Sequence, residues 1–416
     1  MNPKSKLFIA ACTLASVALA CQSSTSELTP EATSTSVPFS TSLPSLPTAT
    51  DTPTTLPAAT LAPPLGFFTG IVAFSSSTGQ LQTINMANGE IKLLIGENDI
   101  RTNPLWSADG IRIAYLVWNT KNNRVDLALL DIASGEIHLV LEDFSLNPYS
   151  DNFPLSSDGS FALYESRDDN GYLDIYRMDT ASGEITNLTS DTPYDDEEPS
   201  LSPDGKHVAF SSRRTVSQNV WIMNTEGKGL INLTPNDQYF WRDMDPAWSP
   251  DGSRIAFFRC CGGIDDEGNL IEGMPGGPAG LWMVNADGSN ETLILEMTSI
   301  NPTYDPSGAS DLIWSPDGNY IAFRFDAYNP NNSPSPVEEL WVVDVSSGEV
   351  RVLLSLPSIR RFHGISWSPD SRAVLANHFD DATGTDNYTV YVAAVDGSGV
   401  WNLFDVNGGY YARWSP

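Results

Sequence analysis

Histidine and cysteine are nearly absent from this chain: its 416 residues include four of each. His138, His207, His363 and His378 are scattered, and none sits in a His-Glu-x-x-His pair, so zinc-protease chemistry has no scaffold here. Cys12 and Cys21 fall near the N-terminus, while Cys260 and Cys261 are adjacent, which is not the spacing of a metal site. Gly-x-Ser-x-Gly is missing, which removes the nucleophile elbow of serine hydrolases. Phosphate-binding loops and dinucleotide fingerprints are missing too. Basic residues are scarce, 22 Lys and Arg against 52 Asp and Glu, for a net charge of −30. Such a balance argues against nucleic acid as a partner, because phosphate binding needs the opposite sign.

What the chain does contain is one short phrase, Trp248-Ser249-Pro250-Asp251-Gly252, repeated as Trp314-Ser315-Pro316-Asp317-Gly318 and, more loosely, elsewhere. Ser suits the first corner of a tight turn, Pro presets φ at the second, and Gly closes it. An apolar run follows each time: Ile113-Ala114-Tyr115, Val208-Ala209-Phe210, Ile255-Ala256-Phe257 and Ile321-Ala322-Phe323. β-Branched and aromatic residues bounded by turns read as strands. A second turn, such as Ala133-Ser134-Gly135-Glu136 or Ser346-Ser347-Gly348-Glu349, then joins a third strand to a fourth. Four antiparallel strands per unit make the blade of a β-propeller.

Trp106, Leu155, Leu201, Trp248, Trp314, Trp367 and Trp414 mark the repeats, spaced by 49, 46, 47, 66, 53 and 47 residues. Arg413-Trp414-Ser415-Pro416 supplies a first strand without successors. Ile71 to Ile95 supplies second, third and fourth strands without a first. The two fragments complete each other, so the expected fold is all-β: a seven-bladed propeller of four-stranded antiparallel blades, closed by strands from both ends sharing one blade. These repeats, including the final Trp-Ser-Pro, resemble those of the TolB-like propellers over residues 67–416. The resemblance implies a fold rather than an activity. The family's namesake has six blades and a preceding α/β domain, and neither matches the seven repeats here, so its role in the Tol system is not implied.

Residues 1–21 read as a targeting segment: Lys4 and Lys6, then an apolar stretch too short to span a bilayer comfortably. Ala18-Leu19-Ala20-Cys21 resembles a bacterial lipobox, with Ala18 where that motif usually has Leu, and also fits ordinary signal-peptidase cleavage. Residues 22–66 follow as a Ser/Thr/Pro-rich disordered tether, a composition that buries no core. A cysteine immediately before a long tether favours lipidation at Cys21, so the expected location is the bacterial cell envelope, periplasmic or at the cell surface. Losing Lys4 and Lys6 takes the net charge from −30 to −32.

Connections between second and third strands, and from blade to blade, share the face opposite the Ser-Pro-Asp-Gly turns. They are long and variable, the largest being 259–280, and loops of that kind usually mark the binding side. There fall Tyr194, Asp195, Asp196, Glu197, Trp241, Arg242, Asp243, Asp245, Arg361, His363 and Tyr411. Tyr149, Asp151, Glu198, Tyr239, Tyr304, Asp305, Arg360 and Tyr410 accompany them. Rings with convergent polar groups suit recognition; the competing reading is that the rings plug the channel as core. No catalytic residue is assignable and no cofactor is expected, although the acids at 195–198, Asp243 and Asp245 have the oxygen chemistry of a Ca²⁺ site. The function expected is a monomeric binding or scaffold propeller, held to the membrane by its lipid alone and presenting the loop face to an envelope protein, peptide or glycan. The alternative is an envelope glycan hydrolase using a pair of those carboxylates.

Overall fold

A computed structural model of the chain describes residues 60–61, 63–64, 66–76, 78–96, 104–119, 124–142, 154–190, 192–215, 217–235, 241–260, 279–297, 308–327, 337–357, 361–380, 387–404 and 410–416. Cys21, the leader and most of the tether, the body of the long insertion (261–278), and Tyr149, Asp151, Tyr239, Tyr304, Asp305 and Arg360 lie outside the described residues.

The Ser-Pro-Asp-Gly phrase builds its turn with side chains as well as backbone. Ser249 Oγ donates to Asp251 Oδ1 at 2.6 Å and accepts the Arg254 amide at 3.0 Å, while the Gly252 amide closes onto Ser249 O at 2.9 Å. The same triad recurs at Ser107, Ser156, Ser202, Ser315 and Ser368. Gly252 takes φ of +70°, and in the blade of Trp367 a serine, Ser371, holds the equivalent left-handed position at +58°. Backbone amides and serine hydroxyls pull Asp158, Asp204 and Asp251 low: Asp251 falls to about 2, chiefly through Ser249.

Seven sheets result, numbered here by their innermost strands: blade 1 from Leu105–Trp106, blade 3 from Asp196–Leu201, blade 4 from Arg242–Trp248, blade 5 from Ala309–Trp314, blade 6 from Arg361–Trp367 and blade 7 from Tyr410–Trp414. Among the described residues the innermost strand of blade 2 is a single bridge, Leu155 to Ala162. In blade 7 the strand Tyr410–Trp414 pairs antiparallel with Ile71–Ser75, matching Trp414 to Val72. The ring therefore closes as expected.

Hydrophobic burial lies between blades. Among the described residues, seven apolar clusters occur, each joining two neighbours; blades 4 and 5, for example, share Phe258, Leu281, Trp314, Phe323 and Trp341. Each buried Leu, Ile, Val or Phe contributes roughly 1.5–3 kcal/mol, so a lone blade forfeits most of its stabilisation. Indole N–H groups add a polar stitch. Trp106 donates to Arg413 O, Trp248 to Ser200 O, Trp314 to Ala247 O and Trp367 to Ile313 O, at 3.0 to 3.3 Å.

Several strands run further than their apolar residues suggest. Tyr320–Ala327 and Val337–Asp344 pair through Asp326 and Glu338, and Ala373–Asp380 pairs with Asn387–Ala394 through His378. His378 thus lies within a strand, buried, and His363 belongs to the innermost strand of blade 6 rather than to a loop. Polar pairing sustains such extensions: Glu338, 1% exposed, sits 3.6 Å from Arg324 Nε. At the other end, Thr60–Leu61, within the stretch read as tether, pairs parallel with Trp401–Asn402 on the outer edge of blade 6.

Candidate functional site

Innermost strands line the central channel of a propeller, and here they share a kink. In blades 3 to 7, three residues before the anchor, Glu198, Asp245, Asp311, Gly364 and Tyr411 take φ of 59°, 56°, 57°, 74° and 44°. Register against the second strand slips at that point in blades 3 to 7. These are β-bulges, which re-aim a side chain and leave a backbone amide without a ladder partner.

Carboxylates from the preceding blade accept those amides. Glu165 of blade 2 accepts the Glu198 N–H, and Glu198 Oε2 accepts the Asp245 N–H at 2.6 Å together with Ser211 Oγ at 2.8 Å. Asp245 in turn accepts the Leu312 N–H of blade 5. Asn377 performs the same task between blades 6 and 7, exchanging hydrogen bonds with the Ala412 backbone at 2.7 and 2.9 Å. Glu198 and Asp245 keep some accessible surface because they face the channel, yet protein surrounds them and governs their ionisation. Burial raises both, and the carboxyls of Glu198 and Asp311 raise Asp245 further. Burial also pushes Glu165 up to about 7, against the lowering effect of the Glu198 amide.

The residues singled out in the sequence divide into three groups. Asp196 and Asp243 belong to innermost strands rather than loops and are fully buried, so neither is a solvated surface charge. Asp196 pairs with Arg214 at 2.8 Å; Asp243 binds Arg259 through both oxygens, at 2.6 and 2.7 Å. Burial raises both carboxyls, and their hydrogen-bonding partners oppose it. Trp241 is 8% exposed, with the Arg259 guanidinium 5.7 Å from its ring centre. Gln218 knots blades 3 and 4: its amide nitrogen donates to Glu197 at 2.9 Å, its oxygen accepts Arg242 Nε at 3.0 Å, and its backbone bonds to Trp241 and Asp243. Glu197, Trp241, Arg242 and Asp243 are thereby brought together.

Tyr411 stands apart, its hydroxyl 3.0 Å from that of Tyr388 in blade 6. Arg361 and His363 occupy the innermost strand of blade 6. Only Tyr194 and Asp195 remain in the connection between blades 2 and 3. Tyr194 is 47% exposed, and the Asp195 carboxylate accepts the Leu173 amide at 2.9 Å. No grouping of three metal-ligating side chains occurs among the described residues. Cys260 is a buried thiol at the end of its strand.

Three residues of the site were missed in the sequence: Glu165, Gln218 and Arg213. Glu165 and Gln218 look like ordinary strand polars. Arg213, exposed beside Tyr194, belongs to a doubled arginine, a visible signal in so acidic a chain.

A family model described as the TolB β-propeller domain matches residues 66–267. The chain is 28% identical over 169 residues to an uncharacterised protein of Agrobacterium fabrum, covering 40% of this chain and 52% of that protein. It is 36% identical over 98 residues to the Tol-Pal system protein TolB of Rhizorhabdus wittichii, covering 24% of this chain and 17% of that protein. The chain spans about half, or less, of the length of these curated relatives. Among solved structures, oligogalacturonate lyase from Vibrio parahaemolyticus aligns with a TM-score of 0.50 at 16% identity, covering 82% of this chain and 86% of that one; the likeness is one of fold.

Proposed function

The chain belongs to the TolB-like β-propellers, and on that premise we propose that it is an extracytoplasmic binding scaffold, anchored through Cys21, that presents its loop face to a protein or peptide of the cell envelope. The observation that carries this reading is the commitment of the channel acids. Glu165 and Glu198 each hold the kinked amide of the next blade, Asp245 holds the amide just after the kink of blade 5, and Asp196 and Asp243 each hold an arginine. Groups spent on joining blades make a rigid ring, not a general acid and base poised over open space. A rigid ring carrying variable loops on one face is a platform for recognition. The Tol-Pal name of a similar protein supports a protein partner in the envelope. A glycan is the other ligand class, and hydrolysis of one the other activity.

The test has two parts. Cys21→Ser should move the protein from the membrane to the soluble fraction. Crosslinking in envelope extract should then identify a partner whose binding is lost on altering Tyr194 but not the turn residues Lys206 or Asn319. A protein that cleaves a glycan panel and captures no partner would replace the scaffold with the hydrolase.

A further inference from the structure

We infer that the cleft between Tyr194 and Arg213 is a subsite for a carboxylate borne by a peptide segment of the partner. The inference rests on the loop side being the working side, and it adds what that side recognises. Tyr194 lies in the connection between blades 2 and 3; Arg213, Arg214 and Thr215 follow the second strand of blade 3, and together they line a shallow cleft.

Three carboxylates flank it, and each is already engaged. Asp195 accepts the Leu173 amide at 2.9 Å, Asp196 holds Arg214 at 2.8 Å, and Glu197 accepts from Gln218 at 2.9 Å. Arg213 is exposed, and its guanidinium makes no hydrogen bond or ion pair among the described residues; only its backbone amide is used, by Asp195 O. In a chain of net charge −30, an exposed guanidinium beside an exposed ring is a local exception: Glu197 and Glu198 feel its charge, but none of its N–H donors is taken among the described residues. A guanidinium fork fits a carboxylate with two parallel hydrogen bonds, and the Tyr194 face suits the apolar stem that bears it.

A uronic acid carries the same anion, but its ring hydroxyls need several donors and acceptors. The Thr215 hydroxyl is spent on Asn219 Oδ1 at 2.6 Å and Ser217 O at 3.0 Å. The cleft therefore offers one charge and one ring, which favours an acidic side chain or a chain terminus over a sugar.

Fluorescence anisotropy on the full chain tests this, using a labelled octapeptide alternating Glu and Phe, its Gln-and-Phe counterpart with an amidated end, and unlabelled trigalacturonate as competitor. The Glu peptide should bind, and Arg213→Ala should weaken it about tenfold or more, as loss of a charge-assisted pair does. Arg213→Lys should fall between the two, Tyr194→Ala should weaken binding several-fold, and Lys228→Ala on the turn face should change nothing. Arg213 is exposed, so an unchanged melting temperature shows that its variants fold. Equal binding of the Gln peptide, or indifference to Arg213→Ala, overturns the inference. Arg213-dependent displacement by trigalacturonate with no direct peptide preference overturns the peptide assignment. A physiological partner that binds the loop side regardless of Arg213 sinks this subsite and leaves the scaffold standing, whereas one held by the turn face sinks both.

Discussion

Replacing Glu165 with Gln should flatten a fall in stability that the protein undergoes between pH 5 and pH 8. Glu165 ordinarily titrates at 4.5 and is pushed up to about 7 by burial in the channel wall. Between those values the native chain binds a proton that the unfolded chain has released, so stability declines as pH rises. The contribution is fully present below the lower value and lost above the higher one. A displacement of about 2.5 units, at about 1.4 kcal/mol each, bounds it at ~3.5 kcal/mol. Gln keeps the carbonyl oxygen that accepts the Glu198 amide and removes the titration. Glu198 and Asp245 are raised in the same direction and leave a residual slope in the variant. The assay is urea denaturation followed by tryptophan fluorescence, parent and variant, at both pH values. A Glu165→Gln protein that loses as much stability as its parent across that interval refutes the buried-carboxyl account.

Four further outcomes are expected. Trp414→Ala should cost ~3–5 kcal/mol, since the ring is 3% exposed and its N–H holds Thr69 O at 3.1 Å; an unchanged melting temperature would remove the seam from its place in the fold. Asp243→Ala leaves Arg259 buried with Glu291 alone and should cost about 3 kcal/mol, while Asp243→Asn should cost less, as read by the same denaturation curves. Ser249→Ala removes one acceptor and one donor from its turn and should cost about 1–2 kcal/mol; a neutral result would make that triad ornamental. At acid pH the sign reverses: Asp158 and Asp251, held near 2, stabilise the fold above their ordinary 3.8 and lose that contribution as pH falls toward 2. Asp251→Asn should therefore blunt acid unfolding measured by fluorescence.

The fold was legible because each blade repeats a turn whose chemistry admits few residues, followed by an apolar run of strand period. Even the weakest unit, anchored on Leu155 rather than Trp, kept its Ser-x-Asp-Gly. The site was harder, because burial is decided at a distance. Asp196 and Asp243 look like solvated acids until Arg214 and Arg259, 18 and 16 residues further on, close over them. The kink was half visible: Glu198-Pro199 and Asp245-Pro246 place a proline just after the left-handed residue, but Gly364-Ile365 and Tyr411-Ala412 do not. Asn377 and His378 lay beyond the apolar pattern for a related reason. Their strands continue through polar residues that no apolar pattern marks, held by hydrogen bonds to a neighbouring blade.

The shared blade also sets a timescale. The bond from Trp414 to Thr69 spans 345 positions, and that from Trp106 to Arg413 spans 307. Closing a loop of that length costs roughly 5 kcal/mol of chain entropy beyond a constant, and it must be met before the seventh interface buries anything. Folding is therefore slow at its last step, as it is for chains ruled by distant contacts. The reverse passage is slow as well, because opening the seam forfeits the Phe68, Phe74, Trp414 cluster at once. A low rate of opening protects the ring from proteases independently of its equilibrium stability.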